Sequence, residues 1–461
     1  MLLMGALTPH PPIILPEIGH DSTKEVEATS KAFQRLGEEI RQLEPETVVI
    51  FSPHGPVFQD GMGIRGGERL AGDLSQFGAK QRWQWPNDRE LAEAIAEEAV
   101  AEGIYTMVLS EDTRRYDVNP ALDHGVLVPM SMLNLPNVSL VAMGMAFLPR
   151  EELYAFGKAV AQAIEKTGRR TVVIASGDLS HCLKPGAPSP YHPKGEEFDQ
   201  TLVGLIREGR LREILSMDPD LVEKGAECGY RTILMLLGVM DARNVEAKLL
   251  SYEGPFGVGY AIASFHPGQL GSSGSLLADM MKARSEAVTK RRAAESPFVR
   301  LARLTVESRV KGTDAPGGDN LPEAADKRAG VFVSIKKHGE LRGCIGTIEP
   351  VQKNVESEIR ANAVSAAFRD PRFNPIDEDE LDDLVYSVDL LNPPEPIDDI
   401  SDLDPNRYGV IVSRGGRSGL LLPNLEGIDS AEEQVAIAKR KAGIATDEDV
   451  DLQRFTVERY Y

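Results

Sequence analysis

The sequence reads TVVIASGDLSH from Thr171 to His181, an apolar run followed by small and polar residues and a histidine. Two earlier stretches have the same form: LLMGALTPH ends at His10 and TVVIFSPH ends at His54. Short apolar runs rich in β-branched residues are typical of buried strands. Ligands bind at the carboxyl ends of the strands in open α/β sheets. We therefore expect the three histidines at one edge of one sheet.

Strand-like and helix-like segments alternate from residue 1 to about residue 266. The periodicity predicts helices over residues 22–43, 88–102 and 150–166, and strands over residues 48–51, 105–109, 138–143 and 172–175. Such alternation is typical of an α/β sheet covered by helices. We predict that residues 1–266 form an α/β domain with a central mixed sheet.

The pattern changes after this domain. Residues 267–275 read PGQLGSSGS, a composition typical of a linker. A basic helix is predicted over residues 276–309. Short strands with Gly-rich turns follow, over residues 331–336, 343–348, 385–390, 410–413 and 420–422. We predict a separate α+β domain over residues 276–461.

Composition limits the classes of function. A chain of 461 residues predicts two or three domains. The net charge of −20 argues against nucleic acid as a partner, because phosphate binding needs a basic surface. Three scattered cysteines exclude a disulfide framework and favour the cytoplasm. No signal peptide is indicated, and no apolar run reaches the ~20 residues that span a bilayer, so no membrane association is expected.

Two histidines and one carboxylate form a common site for catalytic metal ions. His10 and His54 supply two ligands, and each follows a proline that restricts the backbone. Glu227, in GAECGYR, is the favoured carboxylate, and the thiol of Cys228 is the alternative third ligand. Because adjacent residues point in different directions, only one of the two is expected to bind. The plain alternatives are structural histidines, a helix N-terminal charge at Glu227 and an inert buried thiol at Cys228.

Two further histidines suit proton transfer, because the pKa of imidazole lies near neutral pH. His181 ends the opening stretch, and His124 lies in DHG, which is also compatible with an ordinary turn. In the second domain, Cys344 lies in LRGCIGT. A nucleophilic cysteine needs a histidine base, and only His338 is near, so a structural role is favoured for Cys344.

The first domain resembles the class III extradiol ring-cleaving dioxygenases and their relatives in the Memo family. The motifs TPHPP, SPHG, DHG, SGDLSH and ECGYR carry the likeness. The resemblance implies a non-haem Fe(II) site with His10, His54 and Glu227 as ligands, and His181 as the acid/base group. His124 would donate a hydrogen bond near oxygen or substrate. In the Memo pattern a cysteine before glycine takes the third ligand position, which keeps Cys228 as the alternative, with zinc or copper as alternative metals.

The chain from residue 276 onward resembles the AMMECR family through LRGCIG, AFRDPRF and GGRSGLLLP. This resemblance implies a fold and an association with Memo-like and radical SAM proteins. The resemblance therefore implies a radical SAM protein as a partner. A homo-oligomer is a separate expectation.

Together these features predict an Fe(II)-dependent oxygenase of extradiol type, acting on a catechol-like or related phenolic substrate with O₂. One rival is a zinc-dependent hydrolase or lyase that uses the same site. The other is a metal-binding regulatory protein whose AMMECR-like domain docks a partner.

Overall fold

The structure is a computed structural model, and it describes residues 1–109, 118–270, 276–314, 317, 321–337, 340–423, 428 and 430–461. The chain forms two compact units, Met1–Met281 and Lys282–Tyr461. Each unit has its own hydrophobic core.

The first unit contains the following helices and strands in chain order: β1 (Leu2–Thr8), α1 (Pro16–Gly19), α2 (Glu27–Gln42), β2 (Thr47–Phe51), β3 (Met62–Arg65), β4 (Arg69–Asp73), β5 (Arg82–Pro86), α3 (Arg89–Ala101), β6 (Thr106–Leu109), α4 (His124–Leu133), β7 (Ser139–Met143), α5 (Arg150–Thr167), β8 (Thr171–Ser176), α6 (Pro193–Glu208), α7 (Leu211–Ile214), α8 (Pro219–Gly225), α9 (Tyr230–Val239), β9 (Arg243–Glu253) and β10 (Tyr260–Leu270). Most predicted elements are confirmed to within a few residues. The hairpin β4–β5 was not predicted.

Within the residues that the structure describes, eight strands form one mixed sheet in the order β6-β3-β7-β2-β8-β1-β10-β9. The four central strands, β7, β2, β8 and β1, are parallel. Strand β10 pairs antiparallel with β1, and β3 pairs antiparallel with β7. The register aligns Thr8 with Ser176 and Phe51 with Ala175. Strands β1, β2 and β8 therefore end at one level of one edge, and the predicted mixed α/β fold is confirmed.

Helices cover both faces of this sheet. Leu7, Val49 and Val173 are fully buried in the core cluster that includes residues of α3, α5 and α9. Ile50 and Ile174 belong to the cluster on the opposite face, with α2 and α4. Burial of such a side chain stabilises a fold by about 1.5–3 kcal/mol. Burial on both faces explains why the strands are continuous apolar runs without alternating polar residues.

The second unit is an α+β structure, as predicted. Helix α10 (Leu276–Ala293) crosses the unit boundary, and the elements after it are α11 (Pro297–Lys311), β11 (Val331–Lys337), β12 (Glu340–Thr347), α12 (Val355–Phe368), β13 (Leu384–Leu391), β14 (Glu395–Ile397), β15 (Gly409–Arg414), β16 (Arg417–Leu421), α13 (Ala431–Lys441), β17 (Asp451–Phe455) and β18 (Val457–Tyr460). The strands form two antiparallel sheets, β12-β11-β13-β18 and β14-β17-β15-β16.

The start of the predicted linker belongs to the sheet. Strand β10 continues to Leu270 with an irregular register after Pro267. A Cβ atom at Gly268 would lie 2.4 Å from the Asn244 carbonyl oxygen, so glycine permits this close strand contact. Gly268 therefore serves strand pairing. The rest of the predicted linker, residues 271–275, lies outside the described residues.

The predicted basic helix over residues 276–309 is two helices, α10 and α11. Ser296 caps α11 by accepting a hydrogen bond from the Val299 N–H, and Pro297 occupies its first turn. Proline disfavours helical backbone in the residue before it, which explains the break. None of the helices described by the structure is long and apolar enough to cross a membrane.

Candidate metal centre

His10 follows strand β1 and is held by the loop after β8. Its imidazole is buried, and its backbone N–H donates to Asp178 Oδ1 at 2.8 Å. Its Nδ1 lies 2.9 Å from Ser176 Oγ, and the Ser176 hydroxyl donates to the Gly125 carbonyl oxygen at 2.5 Å. A carbonyl only accepts, so the single hydroxyl proton is already used. His10 Nδ1–H must then donate to Ser176, which leaves the lone pair of His10 Nε2 free for a metal ion.

His54 follows strand β2 and faces His10. The two Nε2 atoms are 3.0 Å apart, and the rings meet edge to face with centroids 4.8 Å apart. Two nitrogen lone pairs at this distance repel each other unless a proton or a metal ion lies between them. Metal–nitrogen bonds of about 2.0–2.1 Å bring two imidazole ligands to about this separation. The pair therefore fits two ligands of one ion.

Cys228 lies between helices α8 and α9, and its Sγ is 3.6 Å from His10 Nε2. The ligand atoms of His10, His54 and Cys228 all lie within 4.8 Å of one another. A Cβ atom at Gly177 would lie 2.1 Å from the Gly229 Cα, so glycine allows the two loops to touch. Two imidazoles and a thiol are a donor set for iron, copper or zinc.

Glu227 points elsewhere. Its Oε2 accepts a hydrogen bond of 2.5 Å from the Tyr230 backbone N–H, at the first residue of α9. Burial raises the pKa of Glu227 to about 7, against the opposing effects of that hydrogen bond and of the Arg231 and Arg150 charges. The structure thus brings Cys228 to the two histidines, while the favoured carboxylate satisfies a helix N-terminus.

His124 is the first residue of α4, whose N-cap Asp123 accepts from the Gly125 N–H at 2.9 Å. Its ring stacks on that of His54, with centroids 4.2 Å apart and an interplanar angle of 25°. The Ser52 hydroxyl donates to Asp123 Oδ1 at 2.5 Å, which ties the loop after β2 to this helix. His124 is therefore positioned beside a metal-ligand candidate.

His181 lies on the loop after β8, where its backbone N–H donates to the Ala226 carbonyl oxygen at 3.1 Å. Its Nδ1 is buried and has no hydrogen-bond partner within the part of the chain that the structure describes. An unpaired buried imidazole nitrogen is costly, and a substrate hydroxyl would satisfy it.

The four residues His10, His54, His124 and His181, here called the histidine cluster, resist protonation. Burial is the largest cause in each, and it holds the pKa of His10 well below its usual value and lowers that of His54 to about 4. The pKa values of His124 and His181 are also lowered. The imidazoles are therefore neutral near pH 7, the state needed for metal binding and for accepting a proton.

The Cys228 thiol needs a cation to ionise. Burial, followed by the nearby charges of Asp178 and Glu227, raises its pKa well above the usual value. A bound metal ion would reverse this effect, because a coordinating thiol loses its proton.

Sequence reasoning missed the residues that orient the cluster, namely Ser176, Asp178 and Ser52. All three lie inside the stretches that carry His181 and His54, so their position was the available signal.

Two other histidines have different partners outside the site. His192 Nδ1 accepts from the Lys194 N–H at the start of α6, and His266 pairs with Glu39 at 3.0 Å.

Comparison with known families confirms the predicted fusion. Residues 4–263 match the model of the catalytic LigB subunit of aromatic ring-opening dioxygenase, and residues 299–460 match AMMECR1. The first match covers more than half of the chain. The chain therefore belongs to the LigB family of dioxygenase catalytic subunits, with an AMMECR1 domain attached.

Individual relatives match all or part of the chain. A protein of Clostridium acetobutylicum is 38% identical over 98% of both chains, and one of Thermotoga maritima is 54% identical over 36% of this chain and 98% of its own. A crystal structure from Pyrococcus horikoshii is 34% identical over 35% of this chain and 88% of its own, with a TM-score of 0.33. One from Escherichia coli K12 is 16% identical over 57% of this chain and 99% of its own, with a TM-score of 0.41.

Proposed function

We propose that the first unit is a metal-dependent oxygenase that acts on a catechol-like or related phenolic substrate. One observation carries this proposal: three candidate ligand atoms lie within 4.8 Å of one another at the sheet edge, beside the imidazoles of His124 and His181. The chain belongs to the family of the catalytic LigB subunit of aromatic ring-opening dioxygenase, which supports a ring-opening oxygenase reaction. In that reaction both atoms of O₂ enter the substrate as an aromatic carbon–carbon bond breaks.

The proposed ligands are His10, His54 and Cys228, because the Glu227 carboxylate is turned to the N-terminus of α9. A redox-active ion held by these residues would supply oxygen-activating and Lewis-acid chemistry and would make the substrate hydroxyl groups more acidic. Fe(II) is the proposed ion. Since a thiolate also suits copper and zinc, the experiment below loads each ion separately.

Residues around the proposed ligands fix the His10 tautomer and accept protons. Ser176 holds His10 in the tautomer whose Nε2 is free. His181 is the proposed base for a substrate hydroxyl, because its Nδ1 is buried without a partner among the described residues and its pKa is lowered by burial. His124, held against His54, is the proposed donor or acceptor for substrate or oxygen.

Oxygen uptake by the metal-loaded protein tests the proposal. The full chain is purified anaerobically, loaded with Fe(II), Cu or Zn, and supplied with a panel of catechols and aminophenols. We expect O₂ uptake and ring-opened, visibly absorbing products with Fe(II). His181→Ala should keep the metal and lose rate by about 100-fold or more, whereas His266→Ala, outside the site, should match the parent. No O₂ uptake with any ion and any substrate would overturn the oxygenase proposal.

The thiol favours a second candidate, a zinc-dependent hydrolase or a metal-binding protein without turnover. Thiolates are common ligands of zinc and copper, whereas the usual non-haem iron site has a carboxylate as its third ligand. Cys228, whose sulfur lies 3.6 Å from His10 Nε2, therefore favours zinc or copper. Stable binding of zinc or copper, with hydrolysis or no turnover and no O₂ uptake, is the result that selects this candidate.

A further inference from the structure

The hairpin β4–β5 carries a turn that is fixed at both ends. Leu74 and Ala79 are buried in the core on one face of the sheet, and Asp73 Oδ1 accepts from the Ser75 N–H at 3.1 Å. Gly78 has a φ of +93°, which glycine adopts without strain and which closes the turn. Between these anchors, Ser75–Phe77 form a single helical turn.

The turn leaves a phenyl ring beside His124 of the histidine cluster. Phe77 is 38% exposed although its neighbours Leu74 and Ala79 are buried. Its ring centroid lies 5.4 Å from that of His124, at an interplanar angle of 66°. His124 in turn stacks on His54. The Phe77 ring is therefore separated from a proposed metal ligand by one imidazole.

A backbone bridge fixes the distance between this turn and the histidines. The Leu122 N–H donates to the Ala71 carbonyl oxygen at 2.9 Å, which joins strand β4 to the segment leading into His124. A Cβ atom at Gly72 would lie 2.6 Å from the Leu122 carbonyl oxygen, so glycine allows the two segments to touch. The phenyl ring is thus placed by the fold and does not depend on a free loop.

We infer that Phe77 is the residue that recognises the aromatic ring of the substrate. The inference rests on the proposed function for the place where the substrate oxygens bind. An exposed phenyl in a fixed turn gains apolar contact when a second ring covers it, and aromatic pairs favour edge-to-face or offset stacking. A ligand that chelates the metal but has no ring would gain nothing from Phe77. The residue therefore selects aromatic over aliphatic chelators.

Anaerobic calorimetric titration of the Fe(II)-loaded full chain tests this inference without turnover. The probes are 4-nitrocatechol, which has a ring, and glycolate, which chelates through oxygen without one. Phe77→Ala should weaken 4-nitrocatechol binding by about two- to tenfold and leave glycolate binding and iron content unchanged. Phe77→Tyr should restore the affinity for 4-nitrocatechol. Tyr461→Ala removes an exposed aromatic ring from the second unit and should leave the affinities for 4-nitrocatechol and glycolate unchanged.

The outcomes separate this inference from the proposed function. Equal 4-nitrocatechol affinity in Phe77→Ala and the parent overturns the recognition role of Phe77. An equal loss of affinity for 4-nitrocatechol and glycolate, or a loss of bound iron, also overturns that role. Absence of 4-nitrocatechol binding to the iron-loaded parent overturns it as well. If ring-selective binding depends on Phe77 but no catechol supports O₂ uptake, the recognition role stands and the oxygenase proposal fails.

Discussion

Two cysteines of this chain, Cys228 and Cys344, have similar burial and very different neighbours. Each is partly exposed, and burial is the largest cause that raises the pKa of each thiol. Cys228 Sγ lies 3.6 Å from an imidazole nitrogen, whereas Cys344 Sγ accepts a hydrogen bond from the Ser334 hydroxyl at 3.2 Å. His338, the base considered for Cys344, lies outside the described residues.

The neighbours differ because one thiol lies inside a strand and the other lies on a loop at a sheet edge. Cys344 is inside strand β12, so the antiparallel register decides that Ser334 of β11 is its neighbour. Its backbone N–H donates to Asp370 Oδ2 at 2.9 Å. Cys228 is on a loop at an edge where the ends of several strands meet. A strand interior collects neighbours from adjacent strands, whereas a convergent edge collects donor atoms from distant parts of the chain.

The largest expected effect is the loss of metal from the convergent edge. His10→Ala removes the most buried ligand of the candidate site. Loss of an outer partner alone costs about 10- to 100-fold in metal affinity, so loss of a ligand should exceed about 100-fold. Elemental analysis and competitive metal titration measure it, with His266→Ala as the control. Unchanged metal affinity in His10→Ala would show that the metal ion does not bind at this site.

Replacing the two cysteines tests the comparison directly. We expect Cys228→Ser to weaken Fe(II), Cu or Zn binding by more than about tenfold, because a hydroxyl is a poorer ligand than a thiolate. Cys344→Ser should bind metal as the parent does. Glu227→Gln should also keep the metal, because that carboxylate binds the Tyr230 N–H. Loss of metal in Glu227→Gln, with none in Cys228→Ser, would return the third ligand position to the carboxylate.

Two serines extend the comparison to the neighbours. Ser176→Ala removes the acceptor for His10 Nδ1–H and should weaken metal binding by about 10- to 100-fold. Ser334→Ala removes the hydroxyl beside Cys344 and should leave metal binding unchanged. Titration of both variants measures the effect. Equal affinities in the two variants would show that the His10 tautomer needs no help from Ser176.

The smallest effect concerns the pH dependence of stability near Cys344. The Arg372 guanidinium, hydrogen-bonded to the Asp370 carboxylate, lowers the pKa of Asp370 to about 2. A pKa lower in the folded state than in the unfolded state stabilises above about pH 4, and that stability is lost as the pH falls toward 2. Since the Arg372 side chain is 54% exposed, we expect a contribution of about 1–2 kcal/mol at neutral pH.

Denaturant unfolding at pH 6 and pH 3 measures this contribution. The parent should lose about 0.5–1 kcal/mol more than Asp370→Asn between the two pH values, because roughly half of the linkage is spent at pH 3. Asp382→Asn, which changes a fully exposed carboxylate, should follow the parent. An identical pH dependence in Asp370→Asn and the parent would contradict the assigned pKa.

The sequence predicted much of the first unit because its signals are local. Apolar β-branched runs identified β2, β7 and β8, and helix periodicity identified α3 and α5. Family motifs identified both parts of the fusion. The prediction of a single helix over residues 276–309 was wrong, because Ser296 caps a second helix. Residues 267–270 of the predicted linker lie in strand β10, because a close backbone contact at Gly268 outweighed composition.

By itself, the sequence determined that His10, His54 and His181 follow apolar runs, since strand formation and the position of a residue after a strand are local properties. Only the tertiary structure decided which side chain faces the two histidines. Glu227 and Cys228 are adjacent, and the direction of each depends on the loop contact at Gly177 and Gly229. The tertiary structure also set the His10 tautomer and the place of Phe77, because a hydrogen bond or ring contact between distant segments depends on how the whole domain packs.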